Sequence, residues 1–316
     1  MDRRRFVKDF TQAGIGLGVP GLILDAEPAG EHATSSASVS VANTVARLDG
    51  NWLLTIDPDN VGREQKWYTR SSPEAKPARV PGIFQEVFPG FHGAVWYWRE
   101  FIPPAHPFAQ GRYLLSFGAV AYLTEVWVNG IPIGGHEGSE TPFVLDATHA
   151  VKPHAANLLA VRVLKPGDTP IDGYVLKEIP HRNEVLSGFT PGSSYDYGGI
   201  VEPVELLLAP AVRIENLHVR PDWKTGNIRV SANIRNTTSS HAHAHLQFSL
   251  APAATGKTLS ISHLQSGVSP GDTLVETQLH VEGHRLWDLQ DPYLYRLTVR
   301  TAAEGVDGFD ENSVRL

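Results

Sequence analysis

Hydrophobic and polar residues alternate in short segments from Leu48 onward, and Gly, Pro, Asn or Asp separate one segment from the next. A period of two is the pattern of a β-strand that buries one face, whereas no long stretch shows the 3.6-residue period of an amphipathic helix. The 29 glycines and 23 prolines are spread along the chain, as many short strands require. The pattern therefore predicts an all-β protein with little helix.

A first set of predicted strands ends at Pro210, which marks a domain boundary because proline cannot continue a central strand. The set comprises segments 111–120, 121–138, 157–166 and 198–210. Within the second segment, Asn129-Gly130 separates two apolar runs, and both residue types tolerate the positive φ of a type I′ turn. This pair predicts a β-hairpin, with Trp127 in its first strand.

After Pro210 the pattern restarts as a smaller set of six short strands separated by turn residues. The segments are 212–223, 226–236, 241–252, 257–265, 272–283 and 293–303. Six short strands over about 90 residues are typical of an immunoglobulin-like sandwich.

Length and charge limit the classes of function. A chain of 316 residues is long enough for about two domains of ordinary size. Its 27 Lys and Arg against 34 Asp and Glu give a net charge of −7, and no basic run follows the first residues. This distribution argues against nucleic acid and an anionic membrane surface as partners.

The first 37 residues have the three parts of an export signal: a basic start, an apolar stretch too short to span a bilayer, and a small, polar end. Arg3-Arg4, followed by Phe6, Val7 and Lys8, resembles a twin-arginine signal. The alternative, a basic amphipathic helix, is disfavoured by the glycines between residues 14 and 21. We therefore expect export to the periplasm or beyond the cell, with no membrane contact after signal removal. Because the chain has no cysteine, no disulfide supports the exported fold.

Three groups of residues are candidates for a chemical role, but a structural role is the simpler interpretation of each. Trp96 and Trp98 share one face of a strand, where packing is favoured over sugar stacking. His241, His243 and His245 also share one face, but the apolar residues between them predict an ordinary solvated strand face rather than a metal site. Glu184 follows the sequence IPHRN rather than an apolar strand, so a loop salt bridge is favoured over a chemical role.

Six segments occur in the order seen in glycoside hydrolase family 2, which includes β-galactosidases, β-glucuronidases and β-mannosidases. They are LDGNWLLTID (48–57), VPGIFQE (80–86), GAVWYWREFIPP (93–104), the run 117–148, YDYGGIVEPVELL (195–207) and RLWDLQDPYLYRLTV (285–299). The chain resembles this family over residues 46–302.

The resemblance implies three regions: a signal and linker (1–37), a jelly-roll sugar-binding domain (38–210) and an immunoglobulin-like domain (211–316). In the family, a (β/α)₈ barrel follows and supplies both catalytic carboxylates. Such a barrel needs about 200 residues, whereas 14 follow Ala302. We therefore expect the non-catalytic front part of a β-glycosidase, inert alone, without catalytic residues, bound metal or cofactor. The alternatives are a stand-alone exported carbohydrate-binding protein and a subunit that docks on a separately encoded barrel chain.

The resemblance also implies a substrate-binding segment. Ser193, Tyr195, Asp196 and Tyr197 match a family segment that reaches toward the substrate pocket of the barrel, although some relatives carry an acidic residue at the position of Ser193. In the other interpretation, Tyr195 and Tyr197 pack beneath a turn formed by Gly198-Gly199. Both interpretations stay open.

Overall fold

The computed structural model describes residues 44–175 and 197–316. Over these ranges the protein consists of antiparallel β-strands and two 3₁₀ helices, Trp67–Thr69 and Phe84–Glu86, which confirms the predicted all-β fold class. The expected signal (1–37) and Glu184 lie outside the described residues. No helix in the described ranges is long and apolar enough to cross a bilayer.

The first twelve strands form a jelly-roll sandwich. They are β1 (Thr44–Arg47), β2 (Gly50–Asp57), β3 (Lys76–Val80), β4 (Gly93–Phe101), β5 (Arg112–Phe117), β6 (Val120–Ala121), β7 (Leu123–Val128), β8 (Ile131–Glu137), β9 (Phe143–Asp146), β10 (Asn157–Lys165), β11 (Gly199–Ile200) and β12 (Val204–Ala209).

Two of its sheets face each other. One has the order β3-β2-β4-β10-β7-β8 and the other β1-β12-β5-β9, while β11 pairs with β6. Alternate residues of the strands point between the sheets, and there Leu115, Val126, Val161 and Leu206 are almost fully buried. The period of two in the sequence thus corresponds to one buried face on each sheet.

The remaining seven strands form an immunoglobulin-like sandwich. They are β13 (Val212–Pro221), β14 (Asn227–Asn236), β15 (Ala242–Pro252), β16 (Ser260–Val268), β17 (Gly271–His280), β18 (Tyr295–Ala303) and β19 (Phe309–Arg315). The sheets β13-β14-β17 and β16-β15-β18-β19 enclose a separate core that includes Ile234, Leu246, Phe248 and Val299.

The β7–β8 hairpin forms as its turn residues predict. Asn129 and Gly130 have φ values of 53° and 80°, and they join Val128 directly to its partner Ile131. Trp127 lies within β7. The Asn129 side chain also accepts a hydrogen bond from the backbone N–H of Leu158, 3.0 Å away, so the turn is fixed to the neighbouring strand.

Three strand predictions were wrong. Segment 111–120 is divided between β5, which ends at Phe117, and β6, which begins at Val120. Segment 198–210 is not one strand but β11 and β12, because Pro203 has no N–H to offer a continuous ladder. The second sandwich has seven strands rather than six, since the polar segment Phe309–Arg315 pairs with β18. This strand shows little alternation in the sequence because four of its seven residues are exposed at the sheet edge.

Candidate functional site

An open groove of about 420 Å³ lies at one end of the two central strands of the six-stranded sheet. At this end Gly93, where β4 begins, pairs with Lys165, where β10 ends. The loops before β4 and after β10 therefore leave the sheet side by side. They line the groove with residues 90–92 and with Gly167, Asp168, Thr169 and Ile171.

Tyr197, the described residue of the predicted substrate segment, lies near this groove. Half-buried Tyr197 precedes Gly198, whose N–H donates to Oε1 of Gln85 over 3.1 Å. The Nε2 of the same glutamine donates to the carbonyl oxygen of Phe91, 3.3 Å away, on the groove. Gln85 thus ties the backbone beside Tyr197 to a groove loop.

The glycine pair after Tyr197 is required by close packing. A Cβ at Gly198 would overlap the ring of Phe84 and lie 2.7 Å from Cβ of Lys165, and one at Gly199 would lie 2.7 Å from a backbone oxygen of Gly82. Ser193, Tyr195 and Asp196 lie outside the described residues, so the two interpretations of this segment both remain predictions.

A buried ion-pair network fixes the loop after β10. Arg162 on β10 is fully buried and donates to Glu125 and Asp172 over 2.8 Å each and to Asn60 over 2.6 Å. Arg63 pairs with the same two carboxylates. Burial raises the pKa of Asp172, but the hydrogen bond from Asn60 and the charges of both arginines outweigh it and lower that pKa below its ordinary value. Asp172 is therefore a fixed anion that orients the loop.

A second contact holds the same loop. The hydroxyl of Tyr122 donates to Oε1 of Glu137 over 2.7 Å, and the hydroxyl of Tyr174 donates to Oε2 over 3.1 Å. Burial, followed by the hydrogen bond to Glu137, raises the pKa of Tyr122 to about 12. Glu137 is thus held in a structural role by two neutral phenols.

The tryptophans of β4 are core residues. Trp96 and Trp98 are at most 2% exposed. They stack on each other and, through Trp96, on Trp127, and Trp67 and Tyr68 pack over this cluster. Tyr97 faces the opposite side, in the core between the sheets. The packing interpretation is confirmed, because no sugar could reach these rings.

The histidines at and just before the start of β15 lie on the outer face, as predicted. His241, His243 and His245 are exposed, while Ala242 and Ala244 between them are buried. The Nε2 of His245 lies 3.2 Å from a carboxylate oxygen of Glu304. No group of three metal-ligating side chains is found within residues 44–175 and 197–316.

The groove offers polar and apolar contacts that suit binding of a small polar ligand, with Asp168 and His92 beside Phe91. These residues carry no motif that singles them out in the sequence. The available signal was the pair of Gly- and Pro-containing loops, FPGFHG and KPGDTP, which flank two predicted strands. What was missing is the pairing of β4 with β10, which brings the two loops together.

Two family models match consecutive parts of the chain. The one described as glycosyl hydrolases family 2, sugar binding domain, matches residues 86–210, and the one described as glycosyl hydrolases family 2 matches residues 212–315. A β-glucuronidase from Paenibacillus borealis is 26% identical over 282 residues, which cover 82% of this chain and 43% of the relative. A β-glucuronidase from Rattus norvegicus is 30% identical over 196 residues, covering 55% and 30%.

Solved structures share the fold. The putative β-galactosidase from Bacteroides fragilis superposes with a TM-score of 0.69 at 21% identity, covering 87% of this chain and 41% of that one. A Ruminococcus gnavus β-glucuronidase in complex with D-glucuronic acid gives 0.63 at 21% identity, covering 87% and 46%. The chain spans less than half the length of these relatives. It belongs to glycoside hydrolase family 2, whose sugar-binding and immunoglobulin-like domains it carries.

Proposed function

We propose that this chain supplies the non-catalytic domains of a family 2 β-glycosidase and is inert in hydrolysis by itself. The consecutive match of its two sandwiches to the two domain models of the family carries this proposal. β-Glucuronides are the first substrate class to consider for the complete enzyme, because the similar curated proteins are β-glucuronidases. The barrel expected from the family resemblance would supply the catalytic carboxylates.

The roles of the most engaged carboxylates support inertness. A retaining glycosidase needs two carboxyl groups about 5 to 5.5 Å apart, one with a raised pKa. Asp57 instead accepts hydrogen bonds from two backbone N–H groups, and Asp310 accepts one from the backbone of Ile214. Asp172 and Glu125 are paired with arginines. These four groups stabilise the fold.

The test is hydrolysis of nitrophenyl β-glucuronide, β-galactoside, β-mannoside and β-glucoside by the purified chain. We expect no release of nitrophenol above that of a buffer control. Sustained release that disappears when one Asp or Glu of the chain is replaced by Asn or Gln would overturn the proposal.

We further propose carbohydrate as a ligand of the groove beside Tyr197. The support is the proximity of the predicted substrate segment to the groove through Gln85. Binding should be weak, because the remainder of the site would come from the barrel. Titration calorimetry with neutral and acidic disaccharides tests this, with Phe91→Ala as the variant. A millimolar affinity that is unchanged in the variant would place binding elsewhere.

A second candidate function, docking on a barrel chain, is supported by an exposed apolar patch. The tryptophan patch consists of Trp223, Leu286, Trp287 and Leu289, whose exposed fractions are 63%, 49%, 54% and 82%. It borders an apolar pocket of about 150 Å³ that Leu316 also lines. Large exposed apolar clusters of this kind mark interaction surfaces.

Docking is tested by mixing this chain with the separately expressed barrel of a similar β-glucuronidase and measuring complex formation by size-exclusion chromatography. Trp287→Ala should weaken the complex at least about tenfold, as for a central interface aromatic. Ile261→Ala is the matched control, because Ile261 is 51% exposed on the same sandwich but outside the patch. Equal effects of both substitutions, or no complex with the unaltered chain, would contradict docking through this surface.

We also propose export by the twin-arginine route, on the residues Arg3 and Arg4. Replacing both by Lys should retain the precursor in the cytoplasm. Export that survives this replacement but stops with an inhibitor of general secretion would show a different route.

A further inference from the structure

A polar groove crosses the outer face of the immunoglobulin-like sandwich, away from both regions discussed above. It has a volume of about 370 Å³ and spans the strands β15, β18 and β19. The turn that contains Gly256 closes one end. Its floor is the outer face of β15, which the alternation predicted to be an ordinary solvated face, and Gln247 and Ser249 on that face are half-buried.

Two arginines of β18 line the groove and form no ion pair within the described residues, although Glu311 lines the groove as well. Arg296 and Arg300 are half-buried, and neither forms an ion pair with a carboxylate of the described residues. Arg300 lies opposite Glu311 in the strand register but is held instead over the ring of Phe309, 3.4 Å from its centre. A half-buried guanidinium without an anion has lost hydration that no opposite charge replaces.

A third arginine adds to the positive charge. Arg315 on β19 lies directly opposite Arg296. Like charges at directly opposite positions of neighbouring strands destabilise a sheet. Neither charge therefore helps the fold, and both would be favourable if an anion occupied the groove between β18 and the turn at Gly256.

Glu311 also lines the groove, so its two arginines and one carboxylate leave a net positive charge. Apart from Ala251 and Gly256, the rest of the lining is made of neutral hydrogen-bonding groups. Gln247, Ser249, Thr298 and Ser313 present amide and hydroxyl groups along the floor. They match the hydroxyl groups of a sugar, while arginine binds a carboxylate with two parallel hydrogen bonds. A groove of this volume exceeds the needs of a single small ion and suits an organic ligand of one to two rings.

We propose that this groove is a binding site for an acidic oligosaccharide, with Arg296 and Arg300 binding a sugar carboxylate. The site lies on the immunoglobulin-like sandwich and is independent of hydrolysis and of the groove beside Tyr197. The net charge of the chain is −7, so binding of an anion here must come from the local arrangement of arginines rather than from the overall field.

The first experiment compares three probes by titration calorimetry on the full chain: digalacturonic acid, its neutral counterpart galactobiose, and inorganic sulfate. The acidic disaccharide should bind at least about tenfold more tightly than either of the others, as expected for one charge-assisted pair added to sugar contacts. Equal affinity for the neutral disaccharide would refute the role of the arginines. Equal affinity for sulfate would reduce the groove to a general anion site and overturn the saccharide assignment.

The second experiment locates the site. Arg296→Gln combined with Arg300→Gln should lower the affinity for digalacturonic acid at least tenfold. Arg229→Gln is the matched control, because Arg229 is an exposed arginine on β14 of the other sheet and outside the groove. If the double variant binds as the unaltered chain does, the proposal is wrong.

A third variant separates binding from folding. Ala251 lines the groove and lies directly opposite Arg296 on β15. Ala251→Glu would place a carboxylate beside that guanidinium, so the sheet should keep or gain stability while the sugar carboxylate loses its partner. We expect an unchanged or raised melting temperature and at least a tenfold weaker affinity. Unchanged affinity in a folded Ala251→Glu variant would contradict the proposed site.

Discussion

The indole Nε1 of Trp96 donates a hydrogen bond to Oδ2 of Asp57 over 2.9 Å, and both side chains are buried. Asp57 also accepts hydrogen bonds from the backbone N–H groups of Val61 and Gly62 over 2.8 and 2.9 Å. One carboxylate thus joins the end of β2, the loop that follows it and the centre of β4. Its negative charge is stabilised by three donors.

Asp57→Asn should therefore destabilise the first sandwich. The substituted amide keeps only one acceptor oxygen, and its NH₂ group would face a donor. We expect a loss of about 2–3 kcal/mol in the free energy of unfolding, measured by denaturant titration. Asp59→Asn is the control, because Asp59 is exposed in the next turn, and it should change the stability by less than about 0.5 kcal/mol. Equal effects would show that the buried hydrogen bonds do not matter.

One contact between the two sandwiches leaves no room for a side chain at a glycine. Gly308 in the β18–β19 turn has a φ of 84°, and a Cβ there would overlap the ring of Phe108 on the first sandwich. Gly305 in the same turn has a φ of 70° but nothing within 4 Å of such a Cβ. Gly308→Ala and Gly305→Ala therefore share the backbone strain and differ in the overlap.

We expect Gly308→Ala to cost about 1–3 kcal/mol more than Gly305→Ala, as overpacking does elsewhere. Thermal unfolding of both variants measures the difference. The hydrogen bond from the backbone N–H of Ala109 to Asp307 should be lost as well, because it spans the same contact over 3.3 Å. Equal melting temperatures would mean that the Phe108 ring can move aside without loss of stability.

The pH dependence of stability should reveal the network around Arg162. The folded-state pKa of Asp172 is lowered from an ordinary value of 3.8, so its contribution is complete above that value and is lost as the pH falls through the lower folded pKa. Asp172→Asn should destabilise the protein by about 1–3 kcal/mol at pH 7. The difference in melting temperature from the unaltered chain should shrink below about pH 4. A difference that stays constant down to pH 3 would show that the charge of Asp172 is not what stabilises the loop.

Local patterns were sufficient to predict much of the fold. The Asn129-Gly130 turn follows from backbone preferences of two residues, and the alternation of His243 and His245 with Ala242 and Ala244 follows from one strand. Neither requires knowledge of a distant neighbour. Strand faces and tight turns can therefore be predicted from the sequence.

Features that depend on distant pairing were not predicted. The Arg162 network on β10 joins residues 60, 63, 125 and 172, which lie on β7 and in two loops far apart in the sequence. The groove at the start of β4 was not predicted for the same reason, because it depends on the pairing of β4 with β10. Strand β19 was missed because pairing with β18, rather than an apolar pattern of its own, determines it.

Gln85 offers the sharpest test of how the groove is joined to the predicted substrate segment. Its amide accepts from the N–H of Gly198 and donates to the carbonyl of Phe91. Gln85→Met keeps the length of the side chain and removes both bonds. Two nearby backbone bonds do not involve this side chain: Phe84 N–H to Gly198 O, 2.9 Å, and Gly82 N–H to Ile200 O, 2.8 Å.

We therefore expect amide hydrogen exchange at Gly198 to accelerate about tenfold in Gln85→Met, since the loss of one hydrogen bond of about 1.4 kcal/mol corresponds to that factor. The amides of Gly82 and Phe84 should keep their rates, because their acceptors are unchanged. The control is Gln290→Met, an exposed position outside the groove that should alter none of the three rates. Equal acceleration of all three amides in Gln85→Met would mean that the segment opens as a unit. Unchanged exchange at Gly198 would mean that its contact with Gln85 contributes nothing, and the link between Tyr197 and the groove would then depend on the packing of Gly198 against Phe84 alone.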